Sequence, residues 1–321
     1  MGHRDKPGGD GHRRGREILP SDQLTARAWA VTRRAMTQPA LPDGLAQISG
    51  RYDALLCDVW GVIHNGREAF PAACAALQAF AETRGPVVLI SNAPRPSADV
   101  LPQLDALGAP RAAWSAFVSS GDATRALLAQ RAPGPAWKIG PERDWPLYAG
   151  LGLEFTSPEQ AAFIACTGPE DDERETPEDY RERLALCARR GLTMICANPD
   201  RVVQRGDRLV YCGGALADLY AAMDGPVTMA GKPYAPIYRL ALAQAEGLLG
   251  RALARERVLC IGDGLATDVK GAADQGLDCL FIGGGIHGAE VIRDGRLDPG
   301  LTSGLLAREG LSAAYAMLEL R

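Results

Sequence analysis

The chain has 321 residues, 46% of them hydrophobic and 23% charged, with a formal net charge of −4. That length suits two domains of ordinary globular composition. The charge balance gives no electrostatic case for nucleic acid or an anionic membrane, and no apolar run approaches the ~20 residues that span a bilayer.

The first 35 residues are basic and rich in Gly and Arg, with no apolar segment of the kind a secretory signal needs. They read as a disordered extension. Met36, shortly ahead of the first core-like segment, offers a second place for the natural start. From residue 50 onward, short β-type runs alternate with helical stretches. The strand candidates are 54–60, 86–91, 116–120, 136–140, 161–167, 192–197, 208–212, 227–230, 257–263 and 278–282. Several are apolar throughout, as strands covered on both faces of a parallel sheet must be. Helical stretches such as 71–85 and 235–250 lie between them. This alternation predicts an α/β fold with a doubly wound parallel sheet.

Two helix starts are legible. Ser157-Pro158-Glu159-Gln160 offers a capping Ser, a Pro at the first helical position and Gln three residues after the cap. Thr176-Pro177-Glu178-Asp179 is a weaker version, within the acidic run 170–182, which leads into that helix and reads as a solvated face and an acidic first turn. The eight cysteines form no CxxC pair and several end apolar runs, so they read as buried thiols of a cytoplasmic protein. The four histidines are too scattered for a metal cluster.

In doubly wound sheets, ligands bind at the carboxyl ends of strands near a topological switch point. Asp58 ends the first strand candidate, Ser91-Asn92 the second, Lys232 follows 227–230, and Asp263 ends 257–263 with Asp268 one helical turn later. Three acids, a Lys and a Ser/Asn pair converging at one edge suit a phosphate and Mg²⁺, since Mg²⁺ takes hard oxygen ligands. A carboxylate beside such cations can attack phosphorus.

These motifs, in this order, resemble the haloacid dehalogenase superfamily of phosphohydrolases. Its first motif corresponds to Asp58-Val59-Trp60-Gly61-Val62, its second to the strand end at Ser91-Asn92, its third to Gly231-Lys232-Pro233 and its fourth to Gly262 through Asp268. The long gap between the second and third motifs resembles the class II arrangement, and Gly231-Lys232-Pro233 with 196–200 points to subclass IIA. The resemblance implies a Rossmann-like core over 36–132 and 227–321 with an α/β cap inserted at 133–226. It implies that Asp58 is the nucleophile of an aspartyl-phosphate and that Ser91, Asn92 and Lys232 bind the transferring phosphoryl group. It also implies that Mg²⁺ is held by Asp58, Asp263, Asp268 and the backbone carbonyl of Trp60. The substrate would be a small phosphorylated metabolite, selected when the cap closes and excludes bulk water. Homo-oligomerisation is left open.

One residue departs from this pattern. Family phosphatases carry a second Asp where this chain has Trp60. That Asp protonates the leaving group and then activates water. An indole nitrogen only donates and has no useful acid–base pKa. General acid–base catalysis contributes roughly 10²–10⁴ in rate, so the expectation is a phosphohydrolase restricted to good leaving groups or using another acid. His64 is the nearest alternative, although a solvent-facing loop position is the plainer reading of it. The runner-up is a phospholigand-binding protein with little or no turnover. A dehalogenase is disfavoured by the intact acidic fourth motif.

Three smaller signals remain. The stretch 283–288 matches GxGxxG but lies late in the chain without a following βαβ unit, so it reads as a loop at the edge of the site. Asn198-Pro199-Asp200 reads as a turn. Cys212-Gly213-Gly214 reads as a strand-to-helix turn.

Overall fold

The computed structural model describes residues 38–205 and 208–321, so the reading of 1–35 as an extension lies outside the described residues. In chain order the first half holds β1 (Ala54–Asp58), α1 (Pro71–Thr83), β2 (Val87–Ser91), α2 (Ser97–Ala106), β3 (Ala116–Ser119), α3 (Ser120–Ala129), β4 (Ala136–Ile139) and β5 (Phe163–Cys166). There follow α4 (Arg181–Arg189), β6 (Thr193–Cys196), β7 (Val202–Arg205), β8 (Arg208–Tyr211), α5 (Gly213–Ala221), β9 (Val227–Met229) and α6 (Ala235–Leu249). The last part holds β10 (Val258–Gly262), α7 (Lys270–Gln275), β11 (Asp278–Ile282), α8 (Gly288–Val291), β12 (Ile292–Arg293), β13 (Arg296–Leu297), α9 (Pro299–Arg308) and β14 (Tyr315–Met317).

The main sheet has the order β14-β11-β10-β1-β2-β3, and each of its pairings is parallel. Alternate residues of its central strands face opposite layers, as the pleat requires. Leu55, Cys57, Leu259 and Ile261 pack with α1 and α2 on one side. Leu56, Val88, Ile90 and Cys260 pack with α6, α7 and α9 on the other. Burial on both faces explains why these strands read as unbroken apolar runs. The result is a doubly wound α/β sandwich, as the sequence predicts.

A second, smaller sheet has the order β4-β5-β6-β9 and is also parallel. One face is covered by α4 and α5 through Tyr180, Leu184, Cys187, Leu216 and Tyr220. The other receives Leu128 of α3 together with Leu147 and Tyr148. Helix α3 therefore serves both layers, since its Ala123 packs in the main core. A capping box at its start, with Ser119 accepting from Asp122 N at 2.9 Å and Asp122 accepting from Ser119 N at 2.9 Å, fixes where it begins.

Two sequence expectations are corrected here, and one is borne out. The core was expected to resume at 227, but β9 pairs with β6 in the smaller sheet (Met194↔Val227, Cys196↔Met229), so the boundary falls after it. Its half-buried Val227 and Thr228 suit an edge strand. Ser157 caps only a single turn: Gln160 N and Ala161 N both bond Ser157 O at 3.1 Å, and Ala162 N is then claimed by Pro135 O at 2.8 Å as the chain enters β5. The weaker signal at Thr176 is the one that leads into a helix, because Thr176 N donates to Asp179 Oδ2 at 2.7 Å and the 3₁₀ turn runs directly into α4. Strands β7 and β14 and the hairpin β12–β13 were not foreseen. All eight cysteines are buried, and no described helix is long and apolar enough to cross a membrane.

Candidate active site

The chain passes from β1 to β2 and β3 on one side and later returns on the other side as β10, so the switch point lies between β1 and β10. Their register (Cys57↔Ile261) sets Asp58 level with Gly262, and Asp263 follows immediately. The next residues form a π-helical turn, Leu265–Val269, whose Asp268 N bonds Gly264 O at 2.8 Å. That turn folds Asp268 back over the strand end, where its Oδ2 accepts from Gly264 N at 3.1 Å. Carboxylate oxygens of Asp58, Asp263 and Asp268 all lie within 4.8 Å of one another, and all three residues are buried.

Lys232 reaches this cluster from the other direction. It sits between β9 and α6 and is 3% exposed. Its Nζ donates to Asp58 Oδ1 at 2.5 Å and to Asp268 Oδ1 at 2.8 Å. The backbone of Lys232 is held by Asn92, whose Oδ1 accepts from Lys232 N at 2.7 Å and whose Nδ2 donates to Lys232 O at 3.2 Å. This clasp requires glycine at 231: a Cβ there would stand 2.6 Å from Asn92 Oδ1 and 2.9 Å from Pro199 Cγ. Ser91 ends β2 beside β1, and its Oγ accepts from Ala93 N at 3.2 Å. The six side chains expected at the site, Asp58, Ser91, Asn92, Lys232, Asp263 and Asp268, thus stand at neighbouring strand and turn ends.

The main chain after Asp58 turns against Asp263. Gly61 has φ +77°, and a Cβ built on it would meet Asp263 Oδ2 at 2.2 Å, so only glycine fits. Trp60, next to it, projects its indole outward at 59% exposure. The ring stands edge-on to His64, with centroids 5.9 Å apart. His64 is not the solvent-facing loop residue expected from sequence. It is 2% exposed, and its Nδ1 accepts from Gly66 N at 3.0 Å. Burial lowers its pKa, because it disfavours the charged ring. The 283–288 loop does edge the site: Ile286 N donates to Asp263 Oδ2 at 3.1 Å.

Electrostatically the cluster is short of positive charge. Burial, then the charge of Asp268, raises the Asp58 pKa in spite of Lys232. Burial, then Asp268, raises that of Asp263. Burial works against the Lys232 ammonium, but Asp268 and Asp58 outweigh it and hold the proton. Three buried carboxylates against one ammonium leave an excess that a hard divalent cation among oxygen donors would neutralise, so the residues fit Mg²⁺. A consequence is testable. A carboxyl whose native pKa lies above its unfolded value of ~4 costs stability as pH rises through and beyond that value. With chelator present, the protein should lose stability between pH 5 and pH 8. Added Mg²⁺ should raise the melting temperature more at pH 8 than at pH 5. Equal Mg²⁺ stabilisation at both pH values would mean that the carboxylates are not what the ion meets.

A carboxylate that the sequence did not nominate also reaches this place. The turn Asn198-Pro199-Asp200 leaves β6 of the smaller sheet and is fixed by Asp200 N donating to Asn198 Oδ1 at 3.0 Å and by Gly214 N donating to Asp200 O at 3.0 Å. Ser120 Oγ, at the start of α3, donates to Ala197 O at 2.5 Å and ties the turn to the main core. The Asp200 carboxylate meets the Asn92 amide and feels the charge of Lys232. The advance signals were the turn-forming Asn-Pro-Asp run and the resemblance of 196–200 to subclass IIA.

This arrangement is matched among known proteins. Residues 55–154 fit the haloacid dehalogenase-like hydrolase model and 229–302 a second haloacid dehalogenase hydrolase-like model. A crystal structure of a haloacid dehalogenase-like family hydrolase from Brucella suis 1330 is 44% identical, with a TM-score of 0.72, and the match covers 88% of this chain and 100% of that one. This chain is a haloacid dehalogenase-like hydrolase. The hydrolase is also similar to the 5′-nucleotidase YutF of Bacillus subtilis, 26% identical over 76% of this chain and 91% of that protein. A third relative is the D-glycerol 3-phosphate phosphatase of Mycobacterium tuberculosis, 28% identical over 76% and 67% respectively.

Proposed function

We propose that the hydrolase removes phosphate from a small phosphorylated metabolite, with Asp58 as nucleophile and Mg²⁺ as cofactor. The observation that carries this reading is the Lys232 ammonium bridging Asp58 and Asp268 inside a buried cluster of three carboxylates. The relatives named as a nucleotidase and a glycerol phosphate phosphatase support the substrate class.

In this reading Asp58 attacks phosphorus and forms an aspartyl-phosphate. Lys232 holds Asp58 in place and neutralises the transferring group, while Ser91 and the Asn92 amide orient its oxygens. Asp58, Asp263, Asp268 and the carbonyl of Trp60 would hold Mg²⁺. When bound, the ion supplies charge neutralisation at phosphorus. The smaller sheet, inserted between α3 and α6, acts as the cap that covers the site and selects the substrate.

The test measures phosphate release with Mg²⁺ from acetyl phosphate and from a sugar phosphate, with Asp58→Asn protein as background. Release above background from either compound supports the reading. Release equal to background from both overturns it and leaves the phospholigand-binding alternative, which the exposed indole of Trp60 at the acid's position favours.

A further inference from the structure

We propose that Asp200 is the general acid and base of this hydrolase, taking over the work for which Trp60 has no group. The inference rests on the phosphatase reading above and adds to it the residue that moves the proton.

Position is the first argument. Asp200 is on the inserted module, yet its carboxyl lies against Asn92, whose amide also clasps the Lys232 backbone, and Lys232 Nζ is 2.5 Å from Asp58 Oδ1. Two residues therefore connect Asp200 to the nucleophile. The smaller sheet delivers it from β6, whereas Asp58 and Asp263 come from the main sheet. A leaving group held beneath that module would find Asp200 nearby without any contribution from residue 60.

Rigidity is the second. The Asn198 side chain, Gly214 N and the Ser120–Ala197 bond fix the turn at three points, and Gly231 lets it approach closely. A proton donor must be held in position for its target, and these bonds hold the turn that carries Asp200. The third argument is protonation. Burial raises the Asp200 pKa against the opposing influence of Lys232 and the Asn92 amide, the direction that a proton donor needs. His64 is a poorer candidate, because burial lowers its pKa and its Nδ1 is engaged by Gly66 N.

The steps balance. As an Asp58 oxygen bonds to phosphorus, the bond from phosphorus to the leaving oxygen breaks, and its electron pair stays on that oxygen. The Asp200 carboxyl gives that oxygen its proton, and an alcohol departs. The Asp200 carboxylate then takes a proton from water as the water oxygen bonds to phosphorus. The phosphorus–Asp58 bond breaks, Asp58 recovers its carboxylate, phosphate leaves and Asp200 is protonated again.

The experiment compares full-length wild type, Asp58→Asn and Asp200→Asn with Mg²⁺ on two kinds of substrate. One is acetyl phosphate, whose leaving group needs no proton. The others are alkyl phosphates: glycerol 3-phosphate, ribose 5-phosphate and a nucleoside 5′-monophosphate. The expected result is that Asp200→Asn lowers kcat on the alkyl phosphate that wild type uses best by roughly 10²–10⁴-fold. Formation of the aspartyl-phosphate from acetyl phosphate, read as a burst, should change only a few-fold, and the same burst shows that the variant is folded. Equal losses on the two kinds of substrate, or no loss on either, overturn the proposal. Wild type active on acetyl phosphate alone also overturns it, because then no acid is at work, while the phosphatase reading stands. Wild type matching Asp58→Asn on every substrate defeats the phosphatase reading, and this proposal with it.

Discussion

Asp58→Asn protein releases phosphate at least about 10⁴-fold more slowly than wild type, yet in chelator it melts at a higher temperature. The first half follows from the loss of the attacking oxygen, since removing a covalent nucleophile typically erases most of the rate enhancement. The second half follows from burial. In the absence of a cation, Asp58 shares its enclosure with Asp268 and Asp263, and burial together with the charge of Asp268 already raises its pKa. Replacing the carboxylate by an amide of the same shape removes that repulsion and leaves Lys232 paired with Asp268 at 2.8 Å. Mg²⁺ should then stabilise the variant less than it stabilises wild type. The measurement is phosphate release together with melting curves in chelator and in Mg²⁺ at pH 7. A variant that melts below wild type in chelator would show that the Lys232–Asp58 bond contributes more than the crowded carboxylates cost.

Lys232→Met protein is destabilised by about 3–5 kcal/mol and has no measurable turnover. Among the described residues, the ammonium bonds both Asp58 Oδ1 and Asp268 Oδ1, at 2.5 and 2.8 Å. Methionine fills similar volume but leaves two buried carboxylates facing each other without a counter-ion, and breaking a buried pair in this way is costly because the remaining charge stays desolvated. That loss is a large part of the 5–15 kcal/mol typical of a folded domain. Urea unfolding at pH 7 in chelator gives the value. Mg²⁺ should narrow the deficit, because it neutralises the same carboxylates, and should leave turnover abolished. A loss below about 1 kcal/mol would mean that water or rearrangement already compensates the acids.

Much of this was legible in the sequence because each signal was local. A strand buried on both faces is an unbroken apolar run, and Asp58 or Asp263 at the end of such a run is a polar residue in a place where burial would otherwise exclude it. Spacing placed Asp268 a turn beyond Asp263, and the motif order tied Ser91, Asn92 and Lys232 to the same edge. The capping signals were local too, but Ser157 shows their limit: competition for Ala162 N by Pro135 stops the helix after one turn.

Other features were decided only by the folded chain. Strand β9 joins the smaller sheet because β6 offers it a partner, which no pattern within Val227–Met229 announces. His64 is buried because the loop folds back on it, with Gly66 N bonding its Nδ1, and that burial lowers its pKa. Asn92 serves as a clasp for the Lys232 backbone across 140 positions of sequence, and Asp200 comes against that clasp from the other sheet. By itself the sequence determined which strand ends carry acids, because burial and periodicity act over a few residues. Which groups meet above Asp58 was decided by tertiary structure, because those contacts join segments that only the packing of two sheets around α3 brings together.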